Sequence, residues 1–177
     1  LGYNFKPIGN FRTTSAMGRG GARYSTFDYE EWERSKGEWE DKQIDEPGMW
    51  TNIACFLERV IPVAEECGVR MALHPDDPPM PVVRNTPRLV YQPSMYRRLL
   101  DVVPSYHNAL EYCLGTLAEM TEGDLYEHTD YYSKHGHIAY VHFRNVRGKV
   151  PRYQETFIDE GDIDMVHILH ILKSNKY

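Results

Sequence analysis

Apolar positions along the chain follow two alternating rhythms, short continuous runs and longer stretches with helical spacing. The most informative run is Val69 to Leu73, VRMAL, which reads as a buried strand. It follows a helical pattern over Met49 to Cys67, in which Ile53, Phe56, Leu57, Val60, Ile61 and Ala64 share one side and Gly68 supplies the stop. Pro62 lies inside that pattern and is expected to kink it or begin a new turn. The strand then runs into His74-Pro75-Asp76-Asp77-Pro78-Pro79 and cannot continue. Proline has no N–H for a ladder and holds its predecessor extended. A histidine is therefore expected at the carboxyl end of a buried strand, where α/β folds keep their chemistry.

The rest of the chain repeats the arrangement. Leu1 to Phe5 reads as a short strand. Pro93 to Val103 is predicted to be a helix, with Pro93 in its first turn and Leu99, Leu100 and Val103 as the packing face. His107 to Cys113 reads as a strand, Asp124 to His135 as a helix closed by Gly136, and His137 to Phe143 as the clearest strand. Arg147 to Asp159 is expected to be a polar crossover, followed by an amphipathic helix over Ile163 to Lys173 that Asp162 would cap. Phe11 to Arg34 is different in kind, with Gly18, Gly20 and Gly21 among arginines and few apolar anchors. A surface loop is expected there, a mobile lid being its functional form. No strand directly precedes the glycines and no GK[ST] follows, so a phosphate loop is not indicated.

Strand followed by helix, four times over, predicts a parallel sheet. Four βα units are half of a (β/α)8 barrel, whose usual size is about 250 residues. Residues 1–177 are accordingly read as a partial TIM-barrel domain of the α/β class, truncated at both ends, with a Gly/Arg-rich loop near 11–34. A doubly wound open sheet is the alternative.

Composition narrows the function classes. With 26 Asp and Glu against 20 Lys and Arg, the chain lacks the basic footprint of a nucleic-acid binder. No apolar run approaches the ~18 residues of a membrane span, and no signal-peptide pattern opens the sequence. The three cysteines, Cys55, Cys67 and Cys113, do not form a disulfide framework, which suits a reducing, cytoplasmic setting.

Candidate chemistry gathers at the predicted strand ends: His74, Cys113 and His142 close three successive strands. Singly, such residues are commonly packing or hydrogen-bonded core; together on one rim they make a plausible first shell for a divalent metal. Thiolate ligation by itself would point to zinc. Period two places Arg144 on the side of His142, where a guanidinium could grip a substrate carboxylate as the catalytic partner of the metal. Asp76 and Asp77 could orient the ligands from behind or simply cap the turn; Asp76 and Tyr3 are candidates to touch substrate, and Asn4 and Asn145 to bind its hydroxyls.

The segments YNF, ALHPDDPP, EYCLGT, VHFRNV and FIDEGDIDM, in this order and at these intervals, resemble the D-mannonate dehydratase family. The resemblance implies a TIM barrel of the xylose-isomerase-like type and dehydration of D-mannonate to 2-keto-3-deoxy-D-gluconate in hexuronate (glucuronate) catabolism. It implies Mn²⁺ as cofactor, with Fe²⁺ or another divalent ion as substitute, and carries the family's metal ligands onto His74, Cys113 and His142. The family's fourth ligand, an Asp in a Pro-Asp-His motif, and the adjacent proton-transfer His have no counterpart here, consistent with the expected truncation. The expected partners are a small sugar acid and further copies of the chain in a homo-oligomer, with neither nucleic acid nor membrane. The rival readings are a metal-dependent sugar isomerase or epimerase on the same barrel, which Cys113 argues against, and an inactive half-barrel fragment or interaction module.

Overall fold

The computed structural model describes residues 1–6, 11–35 and 44–177. Its centre is a four-stranded parallel sheet of β1 (Gly2–Tyr3), β4 (Met71–Leu73), β7 (Asn108–Cys113) and β8 (Ile138–His142), ordered β1-β4-β7-β8. The strands lie in chain order, as in a barrel wall and without the reversal of a doubly wound sheet. Barrel closure is not seen among the described residues, so the observed architecture is an α/β fold built on a parallel sheet.

Helices fill the crossovers. They are α2 (Glu46–Glu66), α3 (Met95–Val102), α5 (Leu125–Lys134) and α6 (Met165–Ser174). Their apolar stripes supply Ile53, Leu57, Ile61, Leu99 and Ile168, which are fully buried with Leu110 of β7. Asp45 caps α2 by accepting from the Gly48 amide, and Asp124 caps α5 by accepting from the Tyr126 and Glu127 amides. α2 runs through Pro62 as one helix, so no new turn begins there. Pro62 lies on the exposed side, where water can take the carbonyl it leaves unbonded. No helix among the described residues is long and apolar enough to cross a membrane.

Two polar segments fold otherwise than expected. The Gly/Arg-rich stretch near 11–34 is not a loop: it forms β2 (Thr14–Met17), a short 3-10 turn, β3 (Arg23–Asp28) and α1 (Tyr29–Ser35). The expected polar crossover after residue 147 is a hairpin of β9 (Asn145–Lys149) and β10 (Arg152–Thr156). These strands join in an antiparallel sheet ordered β2-β3-β10-β9, with Tyr153 opposite Phe27. Phe27, Trp32 and Tyr153 give it a small core of its own, shared with Val83 from the β5 (Val82–Val83) and β6 (Thr86–Pro87) hairpin. Each segment has too few apolar residues to close a core alone; long-range pairing supplies what local pattern lacks. The last helix also starts later than expected. Its cap is Asp164, which accepts from His167, while Asp162 accepts from the Gly148 amide of β9 at 2.7 Å.

Both insertions leave the parallel sheet on its carboxyl side, one after β1 and one after β8. The antiparallel sheet is thereby tied to the strand ends where the candidate chemistry lies.

Candidate metal centre

His74 directly follows β4, Cys113 is the last residue of β7 and His142 the last of β8. In the β7–β8 register Cys113 stands opposite His142. One donor atom from each of the three residues lies within 4.8 Å of the other two. Cys113 Sγ is 3.3 Å from His142 Nδ1, and the two imidazole rings are 6.0 Å apart. His74 Nδ1 meets the Pro75 carbonyl at 2.7 Å, which fixes the ring and leaves Nε2 for the centre.

The electrostatics favour an anionic sulfur. Burial pushes the Cys113 thiol up, but hydrogen bonds from His142 and His74 and the charge of Arg144 outweigh it and hold the thiol well below its ordinary value. Burial lowers His74, yet the hydrogen bond and charge of Cys113 leave it raised; His142 is raised by its hydrogen bond to the same sulfur despite burial. A buried thiolate between two imidazoles is the donor set that a divalent cation replaces protons in. The residues present fit a metal.

Around this centre runs a ring of charges, buried at Asp77 and Glu119 and half-buried at Arg12 and Glu155. Arg12 grips Asp77 with both terminal nitrogens, at 2.8 and 2.9 Å, and Tyr153 Oη donates to the same carboxylate at 2.8 Å. Glu155 Oε1 accepts from Arg12 at 2.6 Å and from Arg144 at 2.5 Å. Arg144 Nη2 also donates to Glu119 and Thr116, both at 2.9 Å, and approaches Asp77 at 3.3 Å. The two buried acids part company. Burial raises Asp77, but its arginines hold it down at about 2. Glu119 is raised well above the ordinary range by burial and by the charge of Asp77, which the charges of Arg144 and Arg12 do not offset. Glu119 closes α4 (Leu114–Glu119), a short helix that the hydrophobic pattern did not announce.

A profile of the D-mannonate dehydratase (UxuA) family matches residues 23–177. The chain belongs to that family. A mannonate dehydratase of Streptococcus suis (strain 05ZYH33) is 35% identical over 133 residues, covering 74% of this chain and 36% of its own. That of Thermotoga maritima is 40% identical over 106 residues, covering 60% of this chain and 29% of its own. The crystal structure of mannonate dehydratase from Streptococcus suis serotype 2 superposes with a TM-score of 0.90 at 29% identity, over 99% of this chain and 54% of that one. The chain thus spans 36% or less of the length of these two curated relatives.

Within this family frame, the other residues expected to touch substrate are placed differently. Asp76 is buried, and its carboxylate accepts from the Leu89 and Val90 amides and from Arg88, so the fold consumes it. Asn145 is likewise committed. It donates to the Ile158 and Ile163 carbonyls and accepts from the Val146 and Ile163 amides. Arg144 lies beyond the end of β8, and its fork is taken by Glu155, Glu119, Thr116 and Asp77 rather than left open for a carboxylate. Asn4 is exposed, and Tyr3 packs its ring 5.6 Å from Phe56, with its hydroxyl buried and without a hydrogen-bond partner among the described residues. Arg12, Thr116, Glu119, Tyr153 and Glu155 were not singled out by sequence. The only local signal was the i, i+2 spacing of Tyr153 and Glu155, which puts both on one face of β10. A cleft of about 820 Å³ lined by Ser94, Arg97, Tyr126, Tyr131 and His167 opens among the outer helices, and none of the three donors lines it.

Proposed function

We propose that this chain carries the metal-binding wall of an active site that dehydrates D-mannonate to 2-keto-3-deoxy-D-gluconate, its parallel sheet being part of a TIM barrel. The observation that carries the reading is the convergence of His74, Cys113 and His142 at the ends of three adjacent strands, with their donor atoms within 4.8 Å. Membership of the family supports the substrate, and Mn²⁺, with Fe²⁺ as substitute, is the cation that the resemblance noted above implies. A sugar isomerase would call for a centre richer in carboxylates, and a buried cysteine at its core speaks against one.

The reaction removes a proton from C2 and hydroxide from C3; the enol so formed tautomerises to the 2-keto acid. A bound divalent ion supplies Lewis-acid polarisation of the substrate oxygens, which makes the C2 proton acidic. The chain's own residues hold that ion and fix its surroundings. His74 is oriented through its Nδ1 contact with the Pro75 carbonyl, and Cys113 supplies negative charge from a fully buried position. Arg144, engaged by its carboxylates, acts from beside the sulfur as a fixed positive charge.

The test is turnover of D-mannonate by the full-length gene product after chelation and Mn²⁺ reconstitution, followed by appearance of the 2-keto-3-deoxy acid. Restored turnover in the wild type and its loss in Cys113→Ala and His142→Ala are expected. Full turnover in the chelated protein would sink the metal reading, and no turnover of D-mannonate with the metal bound would sink the substrate.

A further inference from the structure

Three groups donate toward Cys113, and two of them use nitrogens that a bound metal would claim. The third is the Thr116 hydroxyl, 3.2 Å from Sγ and one turn into α4. Thr116 is fully buried. Its oxygen is approached from the other side by Arg144 Nη2 at 2.9 Å, and that nitrogen lies 2.9 Å from Glu119 Oε1. A guanidinium only donates. The Thr116 oxygen therefore accepts from Arg144, and its own single proton is directed to the acceptor within reach, the sulfur.

Gly115 makes the arrangement possible. A Cβ there would sit 2.3 Å from Arg144 Nε, so only glycine lets the guanidinium lie against the first turn of α4. The consecutive Cys113, Leu114, Gly115 and Thr116 thus give, in turn, a sulfur, a core side chain, room for a guanidinium and a hydroxyl.

We propose that Thr116 is a positioning residue for the metal ligand Cys113, its hydroxyl held by Arg144, which Glu119 holds in turn, so that it anchors the sulfur without competing for the metal. This rests on the metal reading above and deepens it. Once His74 and His142 give their lone pairs to a cation, Thr116 is the donor that remains on the thiolate. It occupies one sulfur lone pair and leaves the others facing the imidazoles. Partners of this kind around metal ligands are typically worth about 10- to 100-fold in metal affinity.

The experiment uses Co²⁺ alone as probe, reading its thiolate charge-transfer absorption and its dissociation constant in the wild type, Thr116→Val, Thr116→Ser and Cys113→Ala. Thr116→Val keeps the shape and loses the hydroxyl. It should weaken Co²⁺ by about tenfold or more and shift the charge-transfer band, and Thr116→Ser should restore both. A merely structural threonine would lower the melting temperature and leave the band unmoved. Should the valine variant not fold, Thr116→Ala takes its place with the same expectation. Wild-type affinity and band in a variant lacking the hydroxyl, with the band abolished in Cys113→Ala, would overturn the role of Thr116 alone. A Cys113→Ala protein that keeps the wild-type spectrum would overturn the metal reading and this inference with it.

Discussion

Replacing Asp77 by Asn should cost the fold about 3 kcal/mol at neutral pH, and the loss should vanish in acid. Asp77 is 2% exposed and accepts from Arg12, Tyr153 and Arg144, which come from the segment before β2, from β10 and from the end of β8. An amide in its place keeps the volume but removes the charge and turns an N–H toward a guanidinium. Breaking one side of a buried pair usually costs about 3–5 kcal/mol. Arg12 retains Glu155, so the lower end applies. The depressed pKa of Asp77 leads to the same size. The carboxyl falls from an ordinary 3.8 to about 2 in the fold. At about 1.4 kcal/mol per tenfold change in the proton equilibrium, that difference is worth about 2.5 kcal/mol. The sign follows from the depression: the stabilisation is fully present above about pH 4 and is lost as pH falls through about 2. Urea unfolding of wild type and Asp77→Asn should therefore differ by about 3 kcal/mol at pH 7 and converge near pH 2, and a melting point at pH 7 should drop by about 6–12 °C. A gap that is already absent at pH 7, or that persists unchanged into acid, would refute the assignment of Asp77 as the charged node.

Arg144→Lys keeps the charge but cannot serve four partners with one ammonium, so stability should fall by about 2 kcal/mol in denaturant titration; an unchanged midpoint would mean that the fork is not engaged. Gly115→Ala should cost about 1–3 kcal/mol by forcing the guanidinium off α4, measured the same way, and an unperturbed melting point would show that the guanidinium has room to move. Metal affinity should rise with pH, because the raised imidazoles of His74 and His142 hold protons that a cation must displace, whereas the lowered Cys113 thiol holds none. Calorimetry in buffers of different ionisation enthalpy should therefore count up to about two protons released at mildly acid pH; release that grows only toward about pH 8.5 would mark the thiol as the source instead.

What the sequence disclosed depended on how locally it was encoded. The parallel strands carried their own apolar runs, and β7 and β8 fall within a residue of where periodicity put them. His74, Cys113 and His142 were legible because a strand end needs only its own sequence to be located, and adjacency in the sheet then brings the ends together. The antiparallel sheet was not legible. Its strands pair across long separations, as Tyr153 with Phe27, and their exposed faces are too polar to alternate cleanly. Asp76 and Asp77 show the limit for side chains. They are neighbours in a proline-rich turn, yet one is spent on the Leu89 and Val90 amides and the other on two arginines and a tyrosine. Nothing in the string DD distinguishes them.

The charge ring and the donor triad make sense together when protons and metal are counted as alternatives. With no cation bound, the thiolate is held by two imidazoles that are both more basic than usual, and Arg144 contributes its charge to the same sulfur. At mildly acid pH, where the raised imidazoles carry protons, exchange of two imidazolium protons for one divalent ion would leave the charge of the triad unchanged. The surrounding groups, Asp77 held anionic by its arginines and Glu119 pushed toward the neutral acid by burial, then face the same field in either state. Such a ring has no electrostatic reason to rearrange when the metal enters, so the network that anchors the antiparallel sheet to the strand ends can stay rigid while the centre exchanges its cations. Rigidity of this kind would hold the ligands of a bound cation at fixed geometry, and here it would come from Arg12, Asp77, Glu119, Arg144 and Glu155 rather than from the three donors themselves.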